Sequence, residues 1–192
     1  MKIVSLSENK NIEKRVAITP ETAKKYISNG FEVSLPSNYA SHLGFSNESF
    51  KLQGVKILES EKDIINNSDI IVQLGLPNDD KLALFKENQT LIGVLNPFSN
   101  IEKLENLSKK KINNFSLELL PRITRAQSMD ILSSQANLAG YKAVIESFSY
   151  FEKAIPMMMT AAGTVPAAKV LVVGAGVAGL QALSLIHISE PT

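Results

Sequence analysis

Short apolar runs and longer amphipathic stretches alternate along the first 125 residues of the chain. The apolar runs have the length and the β-branched residues of buried strands, and the stretches between them space their apolar residues as one face of a helix does. Repeated alternation of this kind favours an α/β fold with a parallel sheet that helices cover on both faces. The predicted strands are residues 2–5, 31–35, 55–58, 69–74, 90–95 and 113–119, and the predicted helices begin near residues 19, 48, 79 and 100.

The first of these helices carries clear end signals. Thr19 is a good N-cap residue, Pro20 fits the first helical turn, and Asn29 followed by Gly30 is typical of a helix end. The sequence therefore predicts a helix between Thr19 and Asn29.

A single long helix is predicted after this first α/β region. No proline interrupts residues 129–151, and Pro156 follows them. Residues 157–169, MMMTAAGTVPAAK, are small and weakly polar like a linker, and we expect their three methionines to pack at a domain junction. The pattern divides the chain into an N-terminal α/β domain (1–125), a connecting helix and linker (126–165) and the start of a second Rossmann-like domain (166–182).

The second domain begins with a glycine-rich turn, in the stretch KVLVVGAGVAGL. An apolar run at 169–173 predicts a parallel strand that leads into Gly174, Gly176 and Gly179, the G-x-G-x-x-G spacing of dinucleotide-binding folds. Such glycines permit a tight turn and a close approach of the backbone to the diphosphate, which the following helix N-terminus attracts. A ribose-binding acid is expected about 20 residues further on, beyond Thr192. We therefore expect this second domain to be truncated, and the choice between NAD and NADP stays open.

The last ten residues look like sequence that does not belong to the natural protein. LSLIHISEPT, residues 183–192, resembles the translation of a transposon adapter used in sequencing libraries. We therefore expect a non-native tail that carries no functional residue.

Composition and charge exclude several classes of function. Lys and Arg number 20 against 19 Asp and Glu, so the net charge of +1 argues against a nucleic-acid partner. There is no cysteine, and His42 and His187 are too few and too far apart for a metal site. Residues 170–185 are apolar, but glycines interrupt them and the segment falls short of the ~18 apolar residues of a membrane span. We expect a cytoplasmic protein whose membrane association, if it occurs, runs through a partner.

The richest polar stretch is residues 121–144, PRITRAQSMDILSSQANLAGYKAV. Gln127, Asp130 and Ser133 follow one another at three-residue spacing, which places them on one face if the helix includes all three. A glutamine beside a carboxylate or hydroxyl offers the donor and acceptor that a carboxamide needs. Ser128 and Asp130 have a second interpretation, because either could simply cap the helix.

With these stretches in view, the chain resembles the alanine dehydrogenase/transhydrogenase family. RVAITP, the polar stretch above, PMMMTAAGTVPAAKV and GAGVAGLQA together look like the NAD(H)-binding component of proton-translocating NAD(P) transhydrogenases, from the N-terminus to about Ala182. By this resemblance, an Arg-Gln-Asp-Ser loop positions the nicotinamide ring and a glycine turn holds the diphosphate. The implied cofactor-binding residues are Arg122, Gln127, Ser128, Met129, Asp130 and Ser133 in the loop and Gly174, Ala175, Gly176, Val177 and Gly179 in the turn.

The resemblance also implies a reaction and partners. The reaction is direct hydride transfer between NADH on this component and NADP held on a partner component, coupled to proton movement through a membrane-spanning component. The cofactors carry the redox chemistry, so no catalytic acid or base is expected. The resemblance further implies a homodimer, peripheral to the cytoplasmic face of the inner membrane, and an inactive chain if the second domain is truncated.

Two alternatives remain. Alanine dehydrogenases share the two-domain plan and the RVAITP segment, and hold their substrate with an arginine, a lysine and a histidine; the corresponding positions here are Arg15, Gln73 and Asn96. Gln73 carries no charge and Asn96 does not titrate, which argues against amino-acid dehydrogenation. Arg15 is then either a structural ion-pair residue or a ligand contact. The other alternative is a non-catalytic nucleotide-binding or interaction module.

Overall fold

Six parallel strands form one sheet in the N-terminal region of the chain, and their order is β3-β2-β1-β4-β5-β6. The chain order reverses between β1 and β4, as in doubly wound nucleotide-binding folds. This arrangement confirms the predicted α/β class and the parallel sheet. The strands are β1 Lys2–Val4, β2 Glu32–Pro36, β3 Lys56–Leu58, β4 Ile70–Gly75, β5 Thr90–Val94 and β6 Asn113–Ser116.

Five helices connect these strands. The predicted cap of the first helix is confirmed, because Thr19 accepts a hydrogen bond from the N–H of Thr22 at 3.2 Å. The third helix is absent from the sequence prediction: it has only six residues, and Ser60 caps it through the N–H of Asp63 at 3.3 Å. The helices are α1 Pro20–Ser28, α2 Asn47–Lys51, α3 Glu61–Asn66, α4 Asp79–Ala83 and α5 Ile101–Lys109.

Both faces of the sheet are buried. Ile3 and Val4 point to opposite faces, and each belongs to a different apolar cluster. The cluster of Ile3 includes Phe50 of α2, whereas that of Val4 includes Ile64 of α3 and Leu107 of α5. Helices on both sides therefore exclude water from the strands, as the sequence pattern predicts.

The strand predicted at 113–119 is shorter in the structure. It ends at Ser116, and Leu117–Leu119 form a 3-10 turn. Within this turn the Glu118 carboxylate accepts the N–H of Asn96 at 2.6 Å, a bond that holds the chain away from a straight strand.

The computed structural model describes residues 1–187, and a second compact unit begins at Arg122, after Met1–Pro121. Its elements are α6 Ile131–Tyr150, a hairpin of β7 Met158–Thr160 with β8 Gly163–Val165, and α7 Val177–His187. The predicted linker at 157–169 thus contains an antiparallel hairpin. Its methionines are exposed by 44% to 83%, so the predicted burial of the methionines at a domain junction is wrong.

Two further expectations concern the end of the chain. Residues 183–187 of the predicted non-native tail continue α7, and residues 188–192 lie outside the described residues. Within residues 1–187, no helix has both the length and the apolar character that a membrane crossing requires.

Candidate functional site

Asp130 is the N-cap of α6, and both oxygens of its carboxylate bond Ser133. One oxygen accepts the N–H of Ser133 at 3.0 Å and the other accepts its hydroxyl at 2.6 Å. The Ser133 hydroxyl, then its N–H, and more weakly the charge of Arg122 lower the pKa of the Asp130 carboxyl below its usual value. A negative charge is therefore fixed at the positive end of the helix.

The residues before Asp130 form a separate 3-10 turn, Thr124–Met129. The helix predicted from Met129 therefore begins at Ile131, because Asp130 caps it and has non-helical backbone angles. For the same reason Gln127 does not share a helical face with Asp130 and Ser133, and that expectation is wrong. Gln127 instead accepts the N–H of Asp130 through its backbone carbonyl at 3.3 Å.

The remaining residues of the predicted loop present their side chains to solvent. Met129 is 53% exposed, and Arg122, Gln127 and Ser128 are exposed as well. The structure thus joins Asp130 and Ser133 directly, with Arg122 acting on them electrostatically. The part of each loop residue in nicotinamide binding stays a prediction.

The glycine turn has the backbone that its spacing predicts. Gly174 has φ +106°, a conformation that favours glycine. A Cβ at Gly179 would collide with the carbonyl oxygen of Gly174, so only a hydrogen fits there. The N–H of Leu180 bonds the carbonyl of Gly176 at 2.9 Å, which starts the hydrogen-bond ladder of α7 behind the turn. This is a cradle that side chains would fill and a phosphate group could enter. Ala175, Gly176 and Val177 complete it.

The apolar run before the turn does not form the predicted strand. Residues 169–173 have no strand assignment, and Leu171 and Val173 are 86% and 89% exposed. An extended segment becomes a strand only when a neighbour accepts and donates its backbone hydrogen bonds, and among residues 1–187 no strand pairs with this one. A mostly apolar cleft of about 520 Å³ lies between the segment and α7, lined by Val170, Val172, Gly174, Leu180 and Leu183, among others.

A second cleft, of about 650 Å³, lies at the carboxyl ends of β1, β4 and β5. Ligands of open α/β sheets bind at such a reversal of strand order. Gln73 and Asn96 line the cleft together with Glu8, Lys81 and other polar side chains. Sequence analysis considers two of these positions but does not predict a cleft, because the strand order that creates it is not visible in a hydrophobic pattern.

The groups around this second cleft are already paired with one another. The buried Gln73 amide accepts the N–H of Leu6 at 2.7 Å and donates to Glu8 at 3.2 Å. Lys81 bonds the Glu61 carboxylate at 2.9 Å. Arg15 does not line the cleft; its guanidinium forms a two-point ion pair with Glu13, at 2.6 and 2.8 Å. The structural interpretation of Arg15 fits this geometry.

The fold and the glycine turn are those of dinucleotide-binding α/β proteins, and comparison with known proteins identifies the family. Residues 5–139 match the family described as "Alanine dehydrogenase/PNT, N-terminal domain", and residues 143–188 match the corresponding C-terminal domain. The chain belongs to the alanine dehydrogenase/PNT family.

Within this family the chain is more similar to transhydrogenases than to the dehydrogenases compared. It is 45% identical to an NAD(P) transhydrogenase alpha-subunit protein of Rickettsia prowazekii, over 96% of this chain and 49% of the relative. It is 27% identical to alanine dehydrogenase of Methanococcus maripaludis over 93% of this chain and 48% of that protein. A crystal structure of transhydrogenase from Sinorhizobium meliloti superposes with a TM-score of 0.89, at 38% identity, over 96% of this chain and 56% of that chain. The chain thus spans about half the length of the relatives that it matches.

Proposed function

We propose that this chain is the N-terminal half of the NAD(H)-binding component of a proton-translocating NAD(P) transhydrogenase. The observation that carries the proposal is the glycine turn, in which Gly174 has a positive φ and the backbone at Gly179 leaves room for a hydrogen only. Family membership and the identity to transhydrogenase subunits support it further.

In this proposal the two motifs hold two parts of one NAD(H) molecule, its central diphosphate and its nicotinamide end. The turn at 174–179 and the N-terminus of α7 bind the diphosphate, because backbone N–H groups and the helix dipole favour an anion there. Arg122 and Gln127 contact the nicotinamide end, where the Gln127 amide matches the donor and acceptor of a carboxamide. Asp130, held by Ser133, orients the same end.

The chemistry is supplied by the bound cofactor. Bound NADH would supply a hydride, which is one proton with two electrons, to NADP⁺ on the partner component, so that NADH would be oxidised as NADP⁺ is reduced. The chain contributes binding and orientation, which alone account for large accelerations when two reactants are aligned.

The proposal includes the partners of such an enzyme. The NADP-binding and membrane-spanning components dock on this one at the cytoplasmic face of the inner membrane, and two copies form a homodimer. Proton translocation belongs to the membrane component.

The second cleft argues against amino-acid dehydrogenation. The Gln73 amide is 4% exposed and bonded on both its oxygen and its nitrogen, and the Arg15 guanidinium is paired with Glu13. Binding a substrate carboxylate there would require a free cation, and catalysis would require a titrating group at Asn96.

NADH binding by the full-length protein tests the proposal, with Arg122→Ala compared to Arg125→Ala. Both arginines are exposed residues of the same loop, so each variant removes one exposed positive charge from that loop. We expect Arg122→Ala to weaken NADH binding by about tenfold, the cost of one charge-assisted bond, and Arg125→Ala to leave it within about twofold.

Hydride transfer is then measured by mixing the full-length protein with the NADP-binding component and following reduction of NADP⁺ by NADH. Failure of the wild-type protein to bind NADH would contradict the proposal. Binding without transfer would favour a non-catalytic module, and NAD-dependent oxidation of alanine would favour a dehydrogenase.

A further inference from the structure

Gly140 lies in the middle of α6, where a glycine weakens a helix relative to alanine. It is buried, although most of the surrounding helix is exposed. A Cβ at this position would lie 2.9 Å from the Cα and the carbonyl carbon of Ala178, and closer still to its carbonyl oxygen. The backbones of α6 and α7 therefore approach each other so closely that only hydrogen fits between them.

A second contact holds the same two helices. The side-chain amide of Asn137, one turn before Gly140, donates to the side-chain oxygen of Gln181 at 3.0 Å. Gln181 lies one turn after Ala178 on α7. Two contacts one helical turn apart fix both the separation and the relative rotation of the helices.

These contacts join the two halves of the candidate cofactor site. Ala178 is the second residue of α7 and the neighbour of Gly179, so it belongs to the diphosphate turn. Asp130 caps the other helix, α6, and its carboxylate is held by Ser133 in the first turn. A shift of α7 against α6 would therefore move the diphosphate turn relative to the nicotinamide loop.

We infer that Gly140 is a positioning residue, which sets the distance between the diphosphate turn and the nicotinamide loop so that one dinucleotide reaches both. Asn137 acts in the same way through Gln181. The inference rests on the proposed function, and it assigns to α6 a role in cofactor geometry beyond carrying the loop.

The test compares NADH with ADP-ribose, which keeps the diphosphate but lacks the nicotinamide. Calorimetric titration of the full-length Gly140→Ala protein should show NADH binding weakened by about tenfold or more, because the two ends no longer fit one ligand. ADP-ribose binding should change by less than about twofold, because it uses one end only.

Two other variants make the result decisive. Ala139 is exposed on the same helix. Ala139→Gly lowers helix propensity without adding an atom next to α7, so it should leave the ratio of the two affinities unchanged. Asn137→Ala removes only an exposed hydrogen bond and should lower the ratio in the same direction, by about threefold, even if Gly140→Ala folds poorly.

Three outcomes would overturn the inference. Equal weakening of NADH and ADP-ribose in Gly140→Ala would indicate general damage to the turn, and unchanged binding would show that the close approach does not matter. A ratio that Ala139→Gly lowers as much would indicate that the ratio responds to any change in α6 and not to the close approach at Gly140. Wild-type protein that binds ADP-ribose but not NADH would defeat the proposed function itself, which separates the two failures.

Discussion

Replacing Gln73 by methionine should destabilise the first unit strongly, although the side chain keeps its length. Gln73 is 4% exposed. Its amide oxygen accepts the Ser5 hydroxyl at 2.9 Å and the N–H of Leu6 at 2.7 Å, and its nitrogen donates to the Glu8 carboxylate at 3.2 Å. Methionine fills a similar volume but replaces none of these bonds.

The magnitude follows from what each partner loses. The buried N–H of Leu6 is left without this acceptor, which costs about 1–3 kcal/mol. Ser5 keeps the Tyr39 hydroxyl at 2.8 Å and Glu8 keeps the N–H of Leu74 at 2.9 Å, so each of these loses about 0.5–1 kcal/mol. The free energy of unfolding should fall by roughly 2–5 kcal/mol in total.

Amide hydrogen exchange of the β4 residues measures this change in the first unit alone. Protection should fall by about 30-fold to 4000-fold, because each 1.4 kcal/mol is a factor of ten. Gln53→Met, at a partly exposed position after α2, is the matched control and should change protection little. A loss of less than about 0.5 kcal/mol in Gln73→Met would refute the argument that the amide holds β1 to β4.

Three further changes test other features of the first unit. Gly93→Ala would place a Cβ 2.5 Å from the Gln73 carbonyl oxygen. The free energy of unfolding should therefore fall by about 1–3 kcal/mol, which a lower melting temperature would show. An unchanged melting curve would contradict the close approach of β4 and β5 at this position. Burial raises the pKa of Glu8 above its ordinary 4.5, so its contribution to stability is complete below pH 4.5 and is lost as the pH rises through the raised pKa. Glu8→Gln should therefore gain stability relative to wild type between about pH 4 and pH 7 in urea titrations, and a difference independent of pH would argue against this. Phe50 is 1% exposed, and its ring lies edge-on to that of Tyr39. Phe50→Ala should lower the free energy of unfolding by about 3–5 kcal/mol. A much smaller decrease in urea denaturation would show that the core does not depend on Phe50.

The sequence is sufficient to predict the parallel sheet because each strand carries its own apolar signal. Six short segments predict six strands; those at 69–74 and 90–95 are nearly continuous apolar runs, as burial on both faces requires, whereas those at 31–35 and 113–119 alternate apolar and polar residues. Helix α3 is missing from the prediction although its start signal is present in the sequence, with Ser60 as N-cap and Glu61 and Asp63 in the first turn. Residues 169–173 are predicted as a strand but do not form one. Their local pattern is that of a strand, but strand pairing depends on a neighbour that a local pattern cannot supply.

The candidate site is predictable to a different extent in its two halves. The glycine turn follows from spacing, since Gly174 and Gly179 are needed by the backbone itself. For Asp130 the sequence does not decide between helix capping and ligand binding. In the structure Asp130 caps α6, and this role does not exclude contact with a ligand. The separation of Gln127 from the helix depends on where α6 begins, and helix boundaries are the least certain feature of a pattern.

All six strands of the sheet, and the five helices that cover it, come from one unbroken stretch, Lys2 to Ser116. Every strand and helix that this core needs is therefore synthesised before the second unit begins. At about 5–20 residues per second, the first unit has several seconds to fold while the chain beyond Arg122 is still being made. The order of translation thus gives the sheet a head start over the exposed apolar run at 169–173, which reduces the chance that the two mispair.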